Sequence, residues 1–398
     1  MYRVDMSSSR RRGSSSIFFT IFHTMSPELL ETTFALLRLS LDAESLDSFL
    51  NRIKEHPLSK EDWAAIYDFC KKQTIIGVVL VGVNKLPEDL RPPREILDHW
   101  ICQGFYIHQQ NIKMNAMCAK VTKMFADRGL RSVILKGQAN ARLYPDPFSR
   151  QCGDIDILVE GGKKNVIRHL KEMGLMEGAD ITPHHVEIDK KFFDGISVEV
   201  HFNAVLSLPI GKGRRLQNFL AKNAFSHIRG DNTEPFYEPT ILFALMMQMS
   251  HIRRHFIGEA IGLRQIVDYY MLLKSSSAEI ISESCENVKK FGLTSMSGAL
   301  MWCLEIIFSL EKDRLLSVPN EKWGSRLIRA IVDGGNFGRY NGKKEANLAK
   351  YWLLNRKNAL EKMKFDARES FGAEFSYWIK FLRNTPKRIK QRKISFRR

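Results

Sequence analysis

Cysteine is sparse, no apolar run is long, and no internal repeat is visible. Each absence narrows the reading. The six cysteines, Cys70, Cys102, Cys118, Cys152, Cys285 and Cys303, are scattered and form no C-x-x-C pair. That pattern excludes a disulfide-built scaffold and a paired-cysteine zinc module, and it points to reduced thiols in a cytoplasmic setting. The longest apolar run, Ile241 to Met247, falls far short of the roughly 20 residues that cross a bilayer, so no transmembrane segment is expected. Without a repeat of roughly 20–50 residues, solenoids and propellers drop out.

Acidic residues are missing from the end of the chain. Residues 380–398 carry nine cations and no acid, and residues 1–25 add a net +3. Together the ends hold twelve of the seventeen surplus positive charges, which leaves +5 for everything between. The folded body is therefore close to neutral, and the high net charge does not indicate a nucleic-acid groove within it.

The remaining composition, 44% apolar and 26% charged over 398 residues, is that of a globular protein with length for two or three domains. Residues 1–25 are expected to be disordered or an over-extended start. The basic stretch SSSRRRGSSS precedes an apolar segment, Ile17 to Phe22, that is too short for a signal peptide. Met25 followed by Ser26-Pro27-Glu28 is the preferred beginning, because serine caps, proline suits the first helical position and an acid suits the first turn.

Residues 26–128 read as a helical region, with Leu29, Leu30, Phe34, Leu37 and Leu41 at helical spacing. Residues 129–235 change to short β-rich runs: 132–135 (SVIL), 155–159 (IDILV), 186–188 (VEI) and 196–202 (ISVEVHF), with a helix over 163–173. Residues 236–370 return to helix, near 240–253, 258–274, 278–291, 294–310 and 345–364. Residues 371–398 form a basic amphipathic tail able to contact an anionic membrane or RNA. The fold class predicted is α+β, a small mixed sheet flanked by an N-terminal helical region and a C-terminal all-helical domain.

The chemically richest stretch is 135–160, LKGQANARLYPDPFSRQCGDIDILVE. A strand ends at Lys136-Gly137, a short helix follows, and a second strand begins at Gly153-Asp154-Ile155-Asp156. Side chains two apart on a strand share a face, so Asp154 and Asp156 present adjacent carboxylates while Ile155, Ile157 and Val159 face the core. Such a pair repels unless a cation neutralises it, and Mg²⁺ is held by one or two carboxylates plus substrate phosphates. In Val198-Glu199-Val200-His201, Glu199 and His201 share a face. If the two strands are neighbours, Glu199 completes a three-carboxylate site for two Mg²⁺ (or Mn²⁺) ions and in-line phosphoryl chemistry. Gly137 permits close backbone approach to a phosphate, and Lys136 and Arg150 supply cations for it.

These residues resemble the DNA polymerase beta-type nucleotidyltransferase superfamily, and more closely its bacterial branch of uncharacterised nucleotidyltransferase proteins. The resemblance rests on Leu135-Lys136-Gly137, Tyr144-Pro145, Arg150, Gly153 to Val159, His184-His185-Val186-Glu187 and Val198-Glu199-Val200-His201. It implies a metal-dependent transfer of a nucleoside monophosphate from an NTP to an acceptor, with pyrophosphate released. It implies Asp154, Asp156 and Glu199 as metal ligands, and Lys136, Gly137, Gln138 and Arg150 at the nucleotide. The acceptor stays open among small molecule, protein and RNA. The superfamily usually has Ser or Gly where this chain has Gln138. That departure keeps a second reading in view, a catalytically silent nucleotide- or partner-binding protein on the same fold. A third is a basic RNA-binding adaptor.

Further residues are expected at the cleft. His185 and His201 sit on strand faces shared with acids, and His251 lies one helical turn from His255, so each could contact substrate. His184 and His185 alternate along a strand and are expected on opposite faces. Asp268 is expected to cap a helix or pair with Arg264, four residues earlier.

Overall fold

The computed structural model describes residues 25–206, 211–225, 235–258, 261–335, 362–367 and 370–371. The expected disordered start, the basic tail beyond Phe371 and most of the helix expected over 345–364 lie outside the described residues. Ser26 opens the first helix as its sequence predicts: its hydroxyl accepts from Leu29 N, with Pro27 in the first turn of α1 (Pro27–Ser40). α2 (Leu46–Glu55) follows, then α3 (Lys60–Gln73), where Ser59 and Asp62 form a reciprocal capping box. α4 (Ile76–Lys85) was not marked by amphipathic spacing, because it is buried on nearly every side. The long α5 (Arg94–Ala126) begins after the Pro92-Pro93 break and is followed by Gly129 in a left-handed conformation.

The middle of the chain forms the sheet. β1 (Ser132–Ile134), β2 (Ile155–Val159), β3 (Asp180–Ile181), β4 (His185–Ile188) and β5 (Val198–His201) are ordered β1-β2-β5-β4-β3. Only β2 and β5 run parallel; the other pairs are antiparallel. Two short helices join the early strands, α6 (Gln138–Ala141) after β1 and α7 (Gly162–Glu172) after β2. α8 (Gly211–Asn223) then leads to α9 (Ile241–Gly258), α10 (Leu263–Lys274), α11 (Ala278–Phe291), α12 (Thr294–Phe308) and α13 (Glu321–Gly334). The architecture is α+β. No described helix is long and apolar enough to cross a membrane.

Two cores hold this together. The smaller one packs Ile155, Ile157, Val159, Val198 and Val200 against Val121 and Phe125 of α5 and Val166 and Leu170 of α7. These are the alternate positions of β2 and β5, which leaves Asp156 and Glu199 on the opposite face. The larger core joins helices from both ends of the chain. Leu30, Phe34 and Val79 share it with Leu245, Leu300 and Ile328. Polar ties reinforce the junction. Gln73 donates to Ile331 O at 2.7 Å and accepts from Leu263 N at 3.0 Å, and Arg38 donates to Ile307 O at 2.9 Å.

Candidate functional site

Register puts the acids together. In the parallel pair β2–β5, Asp156 lies opposite Glu199, and in the antiparallel pair β5–β4, His201 lies opposite His185. Asp156 is 2% exposed and is flanked by cations on both oxygens. Lys136 Nζ stands 3.2 Å from Oδ2, and His201 Nε2 stands 3.1 Å from Oδ1. His201 Nε2 also reaches Glu199 Oε2 at 3.3 Å, and His185 Nδ1 approaches that same oxygen at 3.3 Å. Among the described residues, two groups bring their ligand atoms within 4.8 Å of one another: Asp156, Glu199 and His201; and His184, His185 and His201.

Asp154 precedes β2 and lines the same cleft without belonging to either group. Its carboxyl is pushed up by the neighbouring Asp156 charge and by burial, with Lys136 pulling the other way. Burial disfavours the Lys136 charge, but Asp156, Asp154 and Glu199 outweigh it and the ammonium is held above its usual value. Burial likewise opposes ionisation of Asp156, yet Lys136 and His201 hold its carboxyl well below the usual carboxylate range. Burial also works against a charged His201, but hydrogen bonds to Asp156 and Glu199 raise the ring to about 9. The other imidazoles go down. Burial together with His185, His201 and Arg254 takes His184 to about 3, and burial with Lys136 lowers His251 well below its usual value. At neutral pH the cluster thus holds ionised Asp156, protonated Lys136 and His201, and neutral His184 and His251.

Gly137 turns the chain from β1 into α6 with a φ of +65°, a conformation that suits glycine. The next side chain leaves the cleft. Gln138 is buried and donates to Asn115 at 2.7 Å and Asn111 at 3.2 Å on α5, so its amide serves the helix contact rather than the cleft.

Arg150 is at the cleft wall, held by a long-range partner. Its Nε and Nη2 donate to the two oxygens of Asp268 at 2.7 Å each, and Tyr144 donates to the same carboxylate at 2.6 Å. This corrects the expected Asp268–Arg264 pair. Arg264 instead donates to Gln151 O at 2.7 Å, gripping the loop that leads into Gly153-Asp154. Arg150 Nη1 is buried and makes no hydrogen bond.

The expected split of His184 and His185 is also corrected. Pro183 and the Thr182 hydroxyl, which accepts from both histidine N–H groups, form a turn ahead of β4. His184 is therefore not in the alternating strand. Its ring lies 4.3 Å from that of His185 and 5.5 Å from that of His201. Arg254 of α9 reaches His184 Nε2 at 3.3 Å, and His251, one turn earlier, stands 3.5 Å from Lys136 Nζ. The helix wall expected near the cleft is thus supplied by α9 and α10.

The cleft measures about 730 Å³ and is lined by Lys136, Gly137, Asp154, Asp156, Glu199 and the four histidines just described, together with Gln103, Tyr106 and Gln110 of α5. That volume suits a nucleotide-sized ligand. The donor set also fits a divalent cation. It offers two carboxylates in register, an imidazole within reach of both, and a buried His185 Nδ1 without a hydrogen bond. A family model described as an uncharacterised nucleotidyltransferase matches residues 59–309. No curated protein matches the chain.

Proposed function

The chain belongs to the uncharacterised nucleotidyltransferase family, and from that premise we propose that it transfers a nucleoside monophosphate from an NTP to an acceptor with release of pyrophosphate. The observation that carries this reading is the pairing of Asp156 with Glu199 across two parallel strands, beside Lys136 and the Gly137 turn. Asp154, Asp156 and Glu199 would hold Mg²⁺ or Mn²⁺, which when bound polarises the triphosphate and stabilises the leaving pyrophosphate.

The chain's own groups divide the remaining work. Glu199 accepts the proton of the acceptor hydroxyl as that oxygen bonds to the α-phosphorus and the bond from the α-phosphorus to the bridging oxygen breaks. Lys136, charged and set against Asp156, is placed to meet the negative charge that builds on the phosphates. Gly137 lets the backbone approach the phosphates, and Gln103, Tyr106 and Gln110 supply further polar contacts. The acceptor would be a small molecule, a protein or an RNA.

Incubation with each labelled NTP, Mg²⁺ or Mn²⁺, and a lysate of the source cells tests the reading. Label on any acceptor with stoichiometric pyrophosphate supports it, and the labelled class identifies the acceptor. Nucleotide binding without pyrophosphate release would instead favour a silent binding protein, the reading to which the inward-turned Gln138 side chain also lends support.

A further inference from the structure

Exposed apolar surface gathers on one helix. Of the seven exposed large apolar side chains among the described residues, four lie on α5: Ile101, Phe105, Tyr106 and Ile112, with Phe105 66% exposed. Ile101, Phe105, His108 and Ile112 recur at four-three-four spacing, which is the seam of a helix that packs along another helix. The His108 ring lies 4.7 Å from that of Phe148, which widens the strip on the side of the loop before β2. At 3.6 residues per turn the seam lies roughly 160° around the helix from Gln103, Tyr106 and Gln110, which line the cleft. A ligand in the cleft therefore does not cover the seam, and a clustered apolar strip marks a contact surface.

The charges beside the seam say what covers it. Glu95 and Asp98 stand at its start, and Lys113 and Lys120 at its end, all four exposed. Glu95 and Asp98 each meet one cation of their own chain, Lys60 at 2.7 Å and Arg94 at 3.8 Å, and a carboxylate has capacity for a second. Lys113 and Lys120 have no ion-pair partner among the described residues. Laid antiparallel on a second α5, Ile101 falls opposite Ile112 and Phe105 opposite His108. In that same register Lys113 falls within two residues of the position facing Asp98, and Lys120 within two of that facing Glu95. One offset thus matches both the apolar positions and the charges, and a twofold axis repeats each match. A parallel pair would set lysine against lysine and acid against acid. The chain's own tail is a poorer occupant, because residues 380–398 carry nine cations and no acid, and Lys113 and Lys120 would repel them.

We infer that two copies of this chain pair through α5, antiparallel about a twofold axis between residues 106 and 107, with the Ile101–Ile112 strip as the buried seam. The inference does not depend on the transferase reading, and the seam lies apart from the cleft on the same helix.

Sedimentation of the full chain over a range of about 1–100 µM tests it. The wild type should form dimers. Phe105→Glu places a charge in the seam and should weaken association at least about 100-fold while circular dichroism stays unchanged. Ile112→Glu is the second probe should Phe105→Glu not fold. Asp98→Lys and Lys113→Glu should each weaken the dimer about 10-fold, and the two combined should restore it, because each pair is then reversed rather than broken. Cys102, exposed beside the seam, reports independently: its reaction with a maleimide should slow as dimers form. A wild type that stays monomeric throughout, a dimer that survives both glutamate variants, or a double reversal that fails to restore association would overturn the inference. A monomer whose Cys102 is already protected would overturn it too, and would show that another segment of the chain covers α5.

Discussion

At the scale of single residues, charge and register explain most of the cleft. Asp156→Asn removes the acid that Lys136 and His201 both face. It should abolish metal-dependent NTP turnover while circular dichroism stays unchanged, and pyrophosphate release measures the loss. Asp268 is a structural counterpart. Burial alone would raise its carboxyl, but Arg150 and the Tyr144 hydroxyl outweigh burial and hold it below its usual value. A carboxyl lowered by folding stabilises above its unfolded value, about 3.9, and that contribution is lost as pH falls through the folded value. Asp268→Asn leaves Arg150 buried without its partner and should cost about 3–5 kcal/mol near neutral pH. In chemical denaturation the gap between wild type and variant should then narrow below about pH 4. Alternation along a strand made Asp156, Glu199 and His201 legible in the sequence. The partners of Asp268 and Gln138 were not, because they lie 118–124 residues and 23–27 residues away and only the folded chain brings them near. His184 escaped because Pro183 and Thr182 form a turn where alternation had been assumed.

At the scale of elements, the loop between α6 and β2 is pinned from two directions. Asn111 of α5 donates to Phe148 O at 2.8 Å and Arg150 O at 2.9 Å, while Arg264 of α10 holds Gln151 O. α4 comes close enough that a Cβ on Gly77 would sit 2.3 Å from Ser149 O. Gly77→Ala must therefore push backbone against backbone. It should destabilise by about 1–3 kcal/mol, read by thermal or denaturant unfolding. Any turnover should fall as well, since the loop carries Arg150 and leads into Asp154. Strands and amphipathic helices showed themselves by period: β2 occupies the predicted 155–159, and α11 the predicted 278–291. α4 did not, because a helix buried on almost every side has no polar stripe to mark its turns.

At the scale of the whole molecule, the change in residue patterning divides the chain into helix, sheet and helix, but it says nothing of which helices meet. The first and last thirds share the larger core, with the Gln73 and Arg38 bonds crossing between them. A chain shortened to start at residue 129 would bare the apolar faces of α9, α12 and α13. It should aggregate or lack a cooperative unfolding transition, which calorimetry or light scattering would register. The grip of Arg264 and Asp268 on the Arg150 loop carries a consequence for synthesis. A ribosome lays down every acid and imidazole of the sheet before it makes α10. Nascent chains halted before that helix emerges would thus contain every proposed ligand and yet lack the clasp that seats the loop, so maturation of the proposed site waits on translation well beyond the last strand.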